Sequence, residues 1–347
     1  MGELIVAVNG FGRIGRGITR AMHARGFEIG RLVAVADVPP ASELAHLLKY
    51  DSIHGRFPGT VQATDSSIRV TGSRDIEIVP AQKSPKDLPW RRFKCESDKL
   101  VVIESTGKFT DPELAKQHLE AGADYVIISA PATGKTKPDI TLVFGVNEDS
   151  LDLARHKVIS LASCTTNCLA PVAKVLDDAF GIEYGTMTTV HAYTNDQPSH
   201  DQPHRDLRRA RAAAANMIPT KTGAASAIGE VLPKLRGKLD GMAVRVPVLD
   251  VSLTDFTVHL ATKTTAQDIN RVLREASERN PQIIGYTEEP LVSTDFLGDS
   301  RSTIVDASYT MIMEGKQAKL LLWYDNETGF ANRVSDAINR IAAYVMP

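Results

Sequence analysis

The sequence has little of several features that mark particular classes of protein. It holds three cysteines in 347 residues, too few for a disulfide framework. Its 40 basic and 42 acidic side chains leave a net charge of −2, so no overall basic field favours nucleic acid. No apolar run is long enough to span a bilayer, and the N-terminus lacks the basic segment of a secretory signal. These absences predict a cytoplasmic globular protein with no membrane partner and no dedicated nucleic-acid site.

The cysteines do not form a recognisable metal motif either. Cys164 and Cys168 are four positions apart, and Cys95 is distant from both along the chain. Zinc sites need three or four protein ligands, and a CxxxC pair alone is a poor metal signature. We therefore predict no bound metal.

The first half of the chain alternates short apolar runs with helical patterns. Five runs follow the opening strand-like segment Leu4 to Val8, and the segment "DPELAKQHLEAG" between two of them reads as a helix that ends at a glycine. The five runs cover residues 31–37, 99–106, 124–131, 140–146 and 156–163. Strands that alternate with helices predict a parallel, doubly wound sheet.

A glycine-rich turn follows the first strand. Gly10, Gly12 and Gly15 fit the dinucleotide-binding (Rossmann) fingerprint GxGxxG, and the next strand ends in Asp37. In such a turn the helix N-terminus offers backbone N–H groups and a positive dipole to the pyrophosphate. A carboxylate in the place of Asp37 accepts hydrogen bonds from the adenosine ribose and repels a 2′-phosphate. The pattern therefore predicts NAD in preference to NADP.

The second half has a different pattern. Long strand-like runs dominate it, at 187–193, 241–262, 302–315 and 317–325, with one clear helix at 266–279. Few helices separate these runs, which predicts a mostly antiparallel sheet. The chain is thus expected to be α/β, with a Rossmann doubly wound parallel sheet and an α+β catalytic domain. We expect an NAD-binding domain at 1–163, completed by a C-terminal helix at 327–347, and a catalytic domain at 164–326.

Cys164 lies where a strand-like run gives way to a helical pattern. A helix N-terminus stabilises a thiolate, which is the nucleophilic form of cysteine. Such a nucleophile needs a base, and His191 is the candidate because it interrupts the apolar run "MTTVHAY". A histidine in that position either acts in catalysis or is satisfied within the core, and the pattern alone leaves both open.

Seven segments, spread nearly from end to end of the chain, carry a family resemblance. They are "NGFGRIGR" at 9–16, "LLKYDSIHG" at 47–55, "SCTTNCLAP" at 163–171, "HAYTNDQ" at 191–197, "RDLRRARAAAANMIPTKTGAA" at 205–225, "AVRVPV" at 243–248 and "WYDNETGF" at 323–330. Together they resemble the phosphorylating glyceraldehyde-3-phosphate dehydrogenases. The resemblance implies NAD-dependent oxidation of glyceraldehyde 3-phosphate, with inorganic phosphate as the second substrate.

The resemblance also implies roles for individual residues. Cys164 is the nucleophile that forms a thiohemiacetal and then a thioester, and His191 is its base. Two anion sites are implied as well, and arginine with hydroxyl donors suits phosphate oxygens. The attacking phosphate is assigned to Ser163, Thr165, Arg209, Thr222 and Gly223, and the substrate phosphate to Thr194, Asp196 and Arg245. Arg245 is supported independently, since an arginine within an apolar run is costly without an anionic partner.

The cofactor contacts implied by the family lie in both halves of the chain. Besides the three glycines and Asp37, they are Arg13 and Ile14 at the pyrophosphate, Thr106 and Ser129 along the nucleotide, Lys83 in place of an arginine near the adenine, and Asn326 at the carboxamide. The arginine-rich segment 195–217 corresponds to a loop that packs between subunits in the family. We therefore expect a homotetramer.

Two alternative functions remain to be compared. Residues 330–333, Phe-Ala-Asn-Arg, resemble erythrose-4-phosphate dehydrogenase, whereas "HAYTND" favours glyceraldehyde 3-phosphate as the substrate. The other alternative is an idle family member that binds RNA at its nucleotide groove. Intact Cys164, His191, Arg245 and Asn326 argue against it.

Overall fold

The computed structural model describes residues 2–27 and 29–346, which divide into two compact units. The first unit runs to Leu142, adds Ser150–Ala162 and includes the chain from Ala331 onward. The second unit consists of Val143–Asp149 and Ser163–Phe330. Within the described ranges, no helix combines the length and apolar character needed to cross a membrane.

The strands are numbered along the described chain. They are β1 Leu4–Asn9, β2 Arg31–Asp37, β3 Tyr50–Asp51, β4 Gly55–Arg56, β5 Val61–Ala63, β6 Ser67–Val70, β7 Ile76–Pro80, β8 Lys99–Glu104, β9 Tyr125–Ile128, β10 Ile140–Thr141, β11 Val158–Ser160, β12 Ile182–Ala192, β13 Ile218–Lys221, β14 Leu239–Val246, β15 Ser252–Leu260, β16 Ile284–Thr287, β17 Thr303–Met313 and β18 Gln317–Tyr324.

The α-helices are numbered in the same way. They are α1 Arg13–Ala24, α2 Ala41–Lys49, α3 Pro112–Ala115, α4 Gln117–Glu120, α5 Cys164–Phe180, α6 Ala224–Val231, α7 Ala266–Arg279 and α8 Thr328–Val345. Short 3-10 turns lie at Pro85–Asp87, Trp90–Phe93, Glu148–Ser150, Ala213–Ala215, Pro233–Leu235 and Ser293–Phe296.

The sheet of the first unit has nine strands in the order β10-β11-β9-β8-β1-β2-β7-β6-β5. Neighbours from β10 to β7 are parallel, and β6 and β5 continue the edge in antiparallel pairs. The chain builds outward from β1 through β2 and then returns to the other side of β1 with β8. The carboxyl ends of β1 and β8 therefore form the topological switch point, where doubly wound sheets bind their ligands.

Apolar side chains explain why these strands lie in the interior. All six residues of β1 are buried, as are the five central residues of β2. A parallel sheet covered on both faces requires such continuous apolar runs. Val33, Leu100, Val102 and Val126 share one core cluster with Trp90, which lies before β8.

The sheet of the second unit has seven strands in the order β13-β14-β12-β15-β18-β17-β16. The pairs β12–β14 and β16–β17 are parallel, and the other four pairs are antiparallel. Alternate residues of β15 are buried, including Phe256 and Val258, and helix α5 packs beside this strand with Leu169 and Val172 fully buried. The predicted fold class, a parallel doubly wound sheet plus a mostly antiparallel one, is confirmed.

Two predicted elements differ in detail. The apolar run at 140–146 forms a strand only at Ile140–Thr141, after which the chain turns, and residues from Val143 to Asp149 belong to the second unit. The helix expected in "DPELAKQHLEAG" is two single-turn helices, α3 and α4, that meet at Lys116. Both α3 and α4 are four residues long, so neither propagates beyond one turn.

Candidate active site

Cys164 is the first residue of helix α5, and the two residues before it give this helix end a side-chain cap and a strained backbone. Ser163 caps the helix, since its hydroxyl oxygen accepts a 3.0 Å hydrogen bond from the N–H of Thr166. Ala162, just before the cap, has φ of 55°, a left-handed conformation that costs a non-glycine residue about 1–2 kcal/mol. Such backbone strain is typical of functional sites. Cys164 is half-buried and reduced.

His191 faces the cysteine from the carboxyl end of β12. Its Nε2 lies 3.5 Å from Cys164 Sγ, a hydrogen-bonding distance for sulfur. Its Nδ1 lies 2.7 Å from the carbonyl oxygen of Ala192. Nδ1 has two neighbours, the Ala192 carbonyl, which can only accept, and the Arg245 guanidinium at 3.0 Å, which donates to the same carbonyl. The shorter contact, to the carbonyl, assigns the proton to Nδ1, so Nε2 presents its lone pair to the sulfur. The ring is therefore oriented as a base toward Cys164.

Arg245 is brought beside His191 by strand register. The parallel pair β12–β14 places these two residues opposite each other. The Arg245 guanidinium donates a 3.0 Å hydrogen bond to the same Ala192 carbonyl and lies 3.0 Å from His191 Nδ1. Its Nε is buried without a hydrogen-bond partner among the described residues, so this donor remains available to an anion.

Burial and charge set the protonation of this cluster. Burial, with the positive charge of Arg245, lowers the pKa of His191 to about 3, so the imidazole is neutral near pH 7. Burial raises the pKa of the Cys164 thiol, whereas Arg245 and hydrogen bonds from Thr165 act in the opposite direction. A proton that passes from the thiol to Nε2 crosses this 3.5 Å contact and creates an ion pair.

A buried tyrosine supports the site from β18. The hydroxyl of Tyr324 lies 2.9 Å from the hydroxyls of both Thr165 and Thr189, and its ring meets the His191 ring edge-on. Burial, with the nearby Cys164, raises the pKa of the Tyr324 phenol, so the group is a neutral hydrogen-bonding partner. The hydrogen bond between the two hydroxyls holds the side chain of Thr165, the residue directly after the cysteine.

A second helix N-terminus lies close to the first. Helix α6 begins at Ala224 with Gly223 in the cap position and no side-chain cap. The hydroxyl of Thr166 donates to the carbonyl of Ala224 at 3.4 Å, which joins the starts of α5 and α6. Thr222 precedes the cap, and its hydroxyl accepts from the N–H of Ala224 at 3.2 Å. Two helix N-termini and several hydroxyls make this corner suitable for an anion.

The other predicted phosphate residues form a separate network. Arg209 donates to Asp196 at 2.5 Å and to the hydroxyl of Thr220 at 2.9 Å, and His204 lies 3.3 Å from Asp196. Although burial opposes it, hydrogen bonds from Arg209 and His204 lower the pKa of Asp196. The backbone N–H of Thr194 donates to Gln197 at 2.9 Å. Arg209 and Asp196 thus neutralise each other in this structure.

The glycine turn lies at the switch point of the first unit, as its pattern predicts. Gly10 has φ of 94°, and an added Cβ would lie 2.7 Å from the backbone nitrogen of Thr106. A Cβ at Gly15 would lie 2.3 Å from the carbonyl oxygen of Gly10, whereas one at Gly12 would meet nothing within 4 Å. Close packing within the chain therefore explains why residues 10 and 15 are glycines. Gly12 leaves open space where a ligand's pyrophosphate can approach the backbone.

Asp37 and the start of α1 complete this edge. The Asp37 carboxylate accepts from the backbone N–H of Phe11 at 2.6 Å and of Val38 at 2.7 Å. Helix α1 has no side-chain cap and no acid in its first turn, where Arg13 and Ile14 lie. The Arg13 guanidinium is bound to Asp51 at 2.8 Å, so its side chain holds the short strand β3 that follows α2.

The remaining predicted cofactor residues lie apart from one another in sequence. Thr106 follows β8 and donates to Glu104 from its N–H and its hydroxyl, and Ser129 donates from both groups to the Glu104 carbonyl. Lys83 is exposed after β7. Asn326 belongs to the second unit, where the Ser252 hydroxyl donates to its side-chain oxygen at 2.7 Å and orients the amide.

Several residues that shape these sites were not singled out from the sequence. Glu104, Asn9 and His118 join below the glycine turn, and Tyr324 and Ala162 support the cysteine. A polar residue that ends an apolar run was the available signal for Asn9 and Glu104. His118 and Tyr324 have no local signal, since only tertiary contacts give them a role.

Cys168, one turn after Cys164, has a different environment. It is fully buried, and its sulfur lies 3.5 Å from the hydroxyl of Thr303 and 3.8 Å from that of Thr254. Burial raises the pKa of its thiol to about 12. A thiol with this pKa is inert at neutral pH, so Cys168 is a packing residue.

A doubly wound unit with a glycine turn, together with a cysteine in contact with a neutral histidine, is the arrangement of an NAD-binding oxidoreductase. Residues 4–112 match the family model "Glyceraldehyde 3-phosphate dehydrogenase, NAD binding domain", and residues 163–326 match its C-terminal domain. The chain belongs to the glyceraldehyde-3-phosphate dehydrogenase family.

Curated relatives cover almost the whole chain. A glyceraldehyde-3-phosphate dehydrogenase of Priestia megaterium is 53% identical over 339 residues, 97% of this chain and 98% of the relative. Glyceraldehyde-3-phosphate dehydrogenase 1 of Bacillus subtilis is 53% identical over 341 residues, 98% and 97% of the two chains. One from Pseudomonas aeruginosa is 51% identical over 97% of this chain and 98% of its own. The alternative of an erythrose-4-phosphate dehydrogenase is not favoured by these names.

Proposed function

We propose that this chain oxidises D-glyceraldehyde 3-phosphate with NAD and inorganic phosphate, giving 1,3-bisphosphoglycerate. The observation that carries the proposal is the 3.5 Å contact between Cys164 Sγ and the unprotonated Nε2 of His191 at a helix N-terminus. The relatives named for this reaction, at 50% identity or more, supply the substrate.

The first half of the reaction uses both members of the pair. Cys164 passes its proton to His191 Nε2 and its sulfur attacks the aldehyde carbon, so a C–S bond forms while the carbonyl π bond breaks. The resulting oxyanion takes this proton back from His191, which gives the thiohemiacetal and leaves Nε2 unprotonated again. His191 Nε2 then accepts the hydroxyl proton while a hydride leaves the same carbon. When bound, NAD supplies the nicotinamide that accepts this hydride. The product on the enzyme is a thioester of Cys164.

The second half regenerates the enzyme. An oxygen of inorganic phosphate attacks the thioester carbon, the C–S bond breaks, and Cys164 leaves as a thiolate that takes back the proton held by His191. The acyl phosphate keeps much of the free energy of the oxidation, which hydrolysis would dissipate. Sulfur suits this step because a thiolate is a far better leaving group than an alkoxide.

The phosphate-binding residues are proposed from the family resemblance, and the chemistry around the cysteine supports several of them. The attacking phosphate is assigned to the joined starts of α5 and α6, with Ser163, Thr165, Thr222 and Gly223, and to Arg209. The substrate phosphate is assigned to Thr194, Asp196 and Arg245. Arg245 is the strongest of these assignments, because its buried Nε has no hydrogen-bond partner among the described residues. Binding at Arg209 requires the anion to compete with Asp196.

The first unit is proposed to hold the NAD. Gly10, Gly12, Gly15, Arg13 and Ile14 form the pyrophosphate turn, and Asp37 meets the ribose. Thr106, Ser129 and Lys83 are assigned to the rest of the nucleotide, and Asn326 of the second unit to the carboxamide. In domain terms, residues 1–163 with 327–347 bind the cofactor, and 164–326 carry out catalysis.

Three further properties belong to the proposal. The carboxylate of Asp37 favours NAD over NADP by at least about tenfold in kcat/KM, because a 2′-phosphate would meet a like charge. The polar segment 195–217 is proposed to pack between subunits of a homotetramer. The protein is proposed to work in the cytoplasm.

A steady-state assay of both aldehydes with both cofactors tests the function. The expected result is NAD-dependent turnover of glyceraldehyde 3-phosphate that requires inorganic phosphate. Turnover of erythrose 4-phosphate at a higher kcat/KM would contradict the substrate, and equal use of NADP would contradict the role of Asp37. Light scattering that gives a stable monomer at micromolar concentration would contradict the tetramer.

A further inference from the structure

A buried carboxylate, Glu104, lies at the switch point of the first sheet. It is the last residue of β8, and strand register pairs it with Asn9, the last residue of β1. Its side chain is almost completely buried, with 1% of the residue exposed. The ligand of a doubly wound sheet binds just outside these two strand ends. Glu104 is thus beneath the dinucleotide site without being exposed on its surface.

Four donors hold this carboxylate. Oε1 accepts from the backbone N–H of Thr106 at 2.8 Å and from its hydroxyl at 2.5 Å. Oε2 accepts from Nδ2 of Asn9 at 2.6 Å and lies 3.1 Å from Nε2 of His118. A buried carboxylate is costly unless it is fully hydrogen-bonded, and this one is.

The partner on the far side of His118 fixes the direction of its hydrogen bond. Nε1 of Trp90 lies 2.9 Å from Nδ1 of His118, and an indole N–H can only donate. Nδ1 is therefore the acceptor, and Nε2 carries the proton that His118 donates to Glu104. Trp90 and His118 are both completely buried. Trp90 thus donates to His118, and His118 donates to the carboxylate of Glu104.

The residues that Glu104 holds are packed directly on the glycine turn. Ser105 donates from its N–H to the carbonyl of Asn9 at 2.8 Å and from its hydroxyl to the carbonyl of Gly10 at 2.7 Å. The backbone of Thr106 is so close to Gly10 that a Cβ there would lie 2.7 Å from the Thr106 nitrogen. A shift of Thr106 therefore moves the turn as well.

We propose that Glu104 is a positioning residue for NAD, which acts through Thr106 and Asn9 to hold the glycine turn in its binding conformation. The proposal rests on the proposed function only in taking NAD as the ligand. Without the carboxylate, the turn samples other conformations, and the fraction competent to bind falls. The cost is expected in cofactor affinity and not in the chemical step.

Glu104→Gln tests this proposal with little change in shape. The amide nitrogen would face the donors of Asn9 and His118, so two hydrogen bonds are lost. We expect the Kd for NAD, measured by calorimetry without aldehyde, to rise about tenfold or more. At saturating NAD, kcat should stay within about twofold, so the loss appears in the KM for NAD.

The matched control is Asp98→Asn at the other end of the same strand. Asp98 is also buried and accepts from the backbone N–H groups of Glu3 and Cys95, far along β8 from the switch point. The Asp98→Asn variant should have a lower melting temperature than wild type, yet its Kd for NAD should stay within about twofold of the wild-type value. If Glu104→Gln behaves like Asp98→Asn, with a lower melting temperature and unchanged affinity, Glu104 is merely structural and the proposal is wrong.

A second set of variants applies if Glu104→Gln does not fold. His118→Leu removes one donor to the carboxylate and should weaken NAD binding about fivefold, whereas His118→Gln can still donate and should restore most of it. Equal affinities in these two variants would overturn the proposal. Where Glu104→Gln folds, adding His118→Leu should cost no more NAD affinity than Glu104→Gln alone, because His118 acts only through Glu104. A further fall in NAD affinity in the double variant would contradict this shared route.

Wild-type chain that binds NAD but fails to oxidise the aldehyde would overturn the proposed function and leave this inference standing.

Discussion

The first turns of helices α1 and α5 carry the two halves of the proposed chemistry, and the sequence builds them differently. At α1 no side chain caps the helix, no acid lies in its first turn, and Gly12 leaves open space above the backbone. At α5 the hydroxyl of Ser163 caps the helix, and the first helical residue is Cys164. Both ends share the same positive dipole.

The difference shows how one electrostatic feature serves two purposes. An uncapped turn with a glycine offers its backbone to a ligand, which suits the pyrophosphate of NAD. In the capped turn of α5, the N–H of Thr166 is already bound to Ser163. The dipole of this helix instead favours negative charge on the side chain of its first residue, Cys164. Binding thus depends on the absence of a side-chain cap at α1, and reactivity depends on the cysteine that begins α5.

Replacing the nucleophile should have the largest effect on this comparison. We expect Cys164→Ser to lower kcat by at least about 10³-fold, because serine does not form an alkoxide readily and cannot form a thioester. The Kd for NAD should change little. Cys168→Ser is the control from the same helix, and it should keep its activity. Turnover of Cys164→Ser within tenfold of wild type would rule out Cys164 as the nucleophile.

Removing the base should come next in size. His191→Asn keeps a polar side chain but cannot accept and release the proton, so kcat should fall about 10²- to 10⁴-fold. Alkylation of Cys164 by iodoacetamide, followed against pH, is the accompanying measurement. Without its neutral acceptor, the thiol should react more slowly near pH 7. Unchanged kcat and alkylation rate would show that His191 is only a core residue.

Two glycine variants test the open turn of α1. Gly12→Ala should fold with nearly wild-type stability, since its Cβ meets no protein atom within 4 Å, yet weaken NAD binding by about two orders of magnitude. Gly15→Ala should instead destabilise the fold by about 1–3 kcal/mol, because its Cβ would overlap the Gly10 carbonyl. Thermal melts and calorimetry separate the two effects. Wild-type NAD affinity in Gly12→Ala would contradict the assigned pyrophosphate turn.

Acid should reveal the buried, neutral state of His191. Its pKa is about 3 in the folded chain and near 6.5 when unfolded, so the unfolded chain binds the extra proton between these values. This contribution to stability is therefore complete above pH 6.5 and falls as pH decreases, by up to ~1.4 kcal/mol per pH unit. His191→Asn should show a shallower loss between pH 6.5 and 5 in urea titrations. Parallel curves would contradict the shifted pKa.

The cap of α5 should give the smallest effect. Ser163→Ala removes the hydroxyl that accepts from Thr166 and should cost about 1 kcal/mol of unfolding free energy. Ser163→Asn, which can also cap, should recover most of it. Denaturant titrations of the three proteins measure this directly, and equal midpoints would mean that the cap contributes nothing to stability.

The sequence predicted the parts of each site that local pattern controls. The three glycines, Asp37 at the end of β2 and Cys164 at the start of a helical pattern all follow from spacing and residue type. His191 needed the register of β12 with β14 before its pairing with Arg245 was visible. The salt bridge from Arg209 to Asp196 depends on how an irregular segment of 13 positions folds, and the hydrogen bond of Tyr324 to Thr165 joins residues 159 positions apart. No local rule of periodicity encodes such contacts.

The length of one predicted strand was wrong because local composition does not show where a chain leaves its sheet. The run at 140–146 has the composition of a strand, but after Thr141 the chain leaves the sheet, and Gly145 adopts φ of 80°. The alternation of helices and strands still predicted the parallel sheet, because burial on both faces leaves a continuous apolar signal.

The central claim is that Cys164 carries the acyl group from the oxidation to the phosphorolysis, and rapid mixing without phosphate tests it most directly. Wild-type chain mixed with aldehyde and NAD should give a burst of NADH stoichiometric with its chains and then stop, and mass spectrometry should find the acyl group on Cys164. Addition of phosphate should restart turnover. Steady turnover without phosphate, or a full burst from Cys164→Ser, would contradict the account.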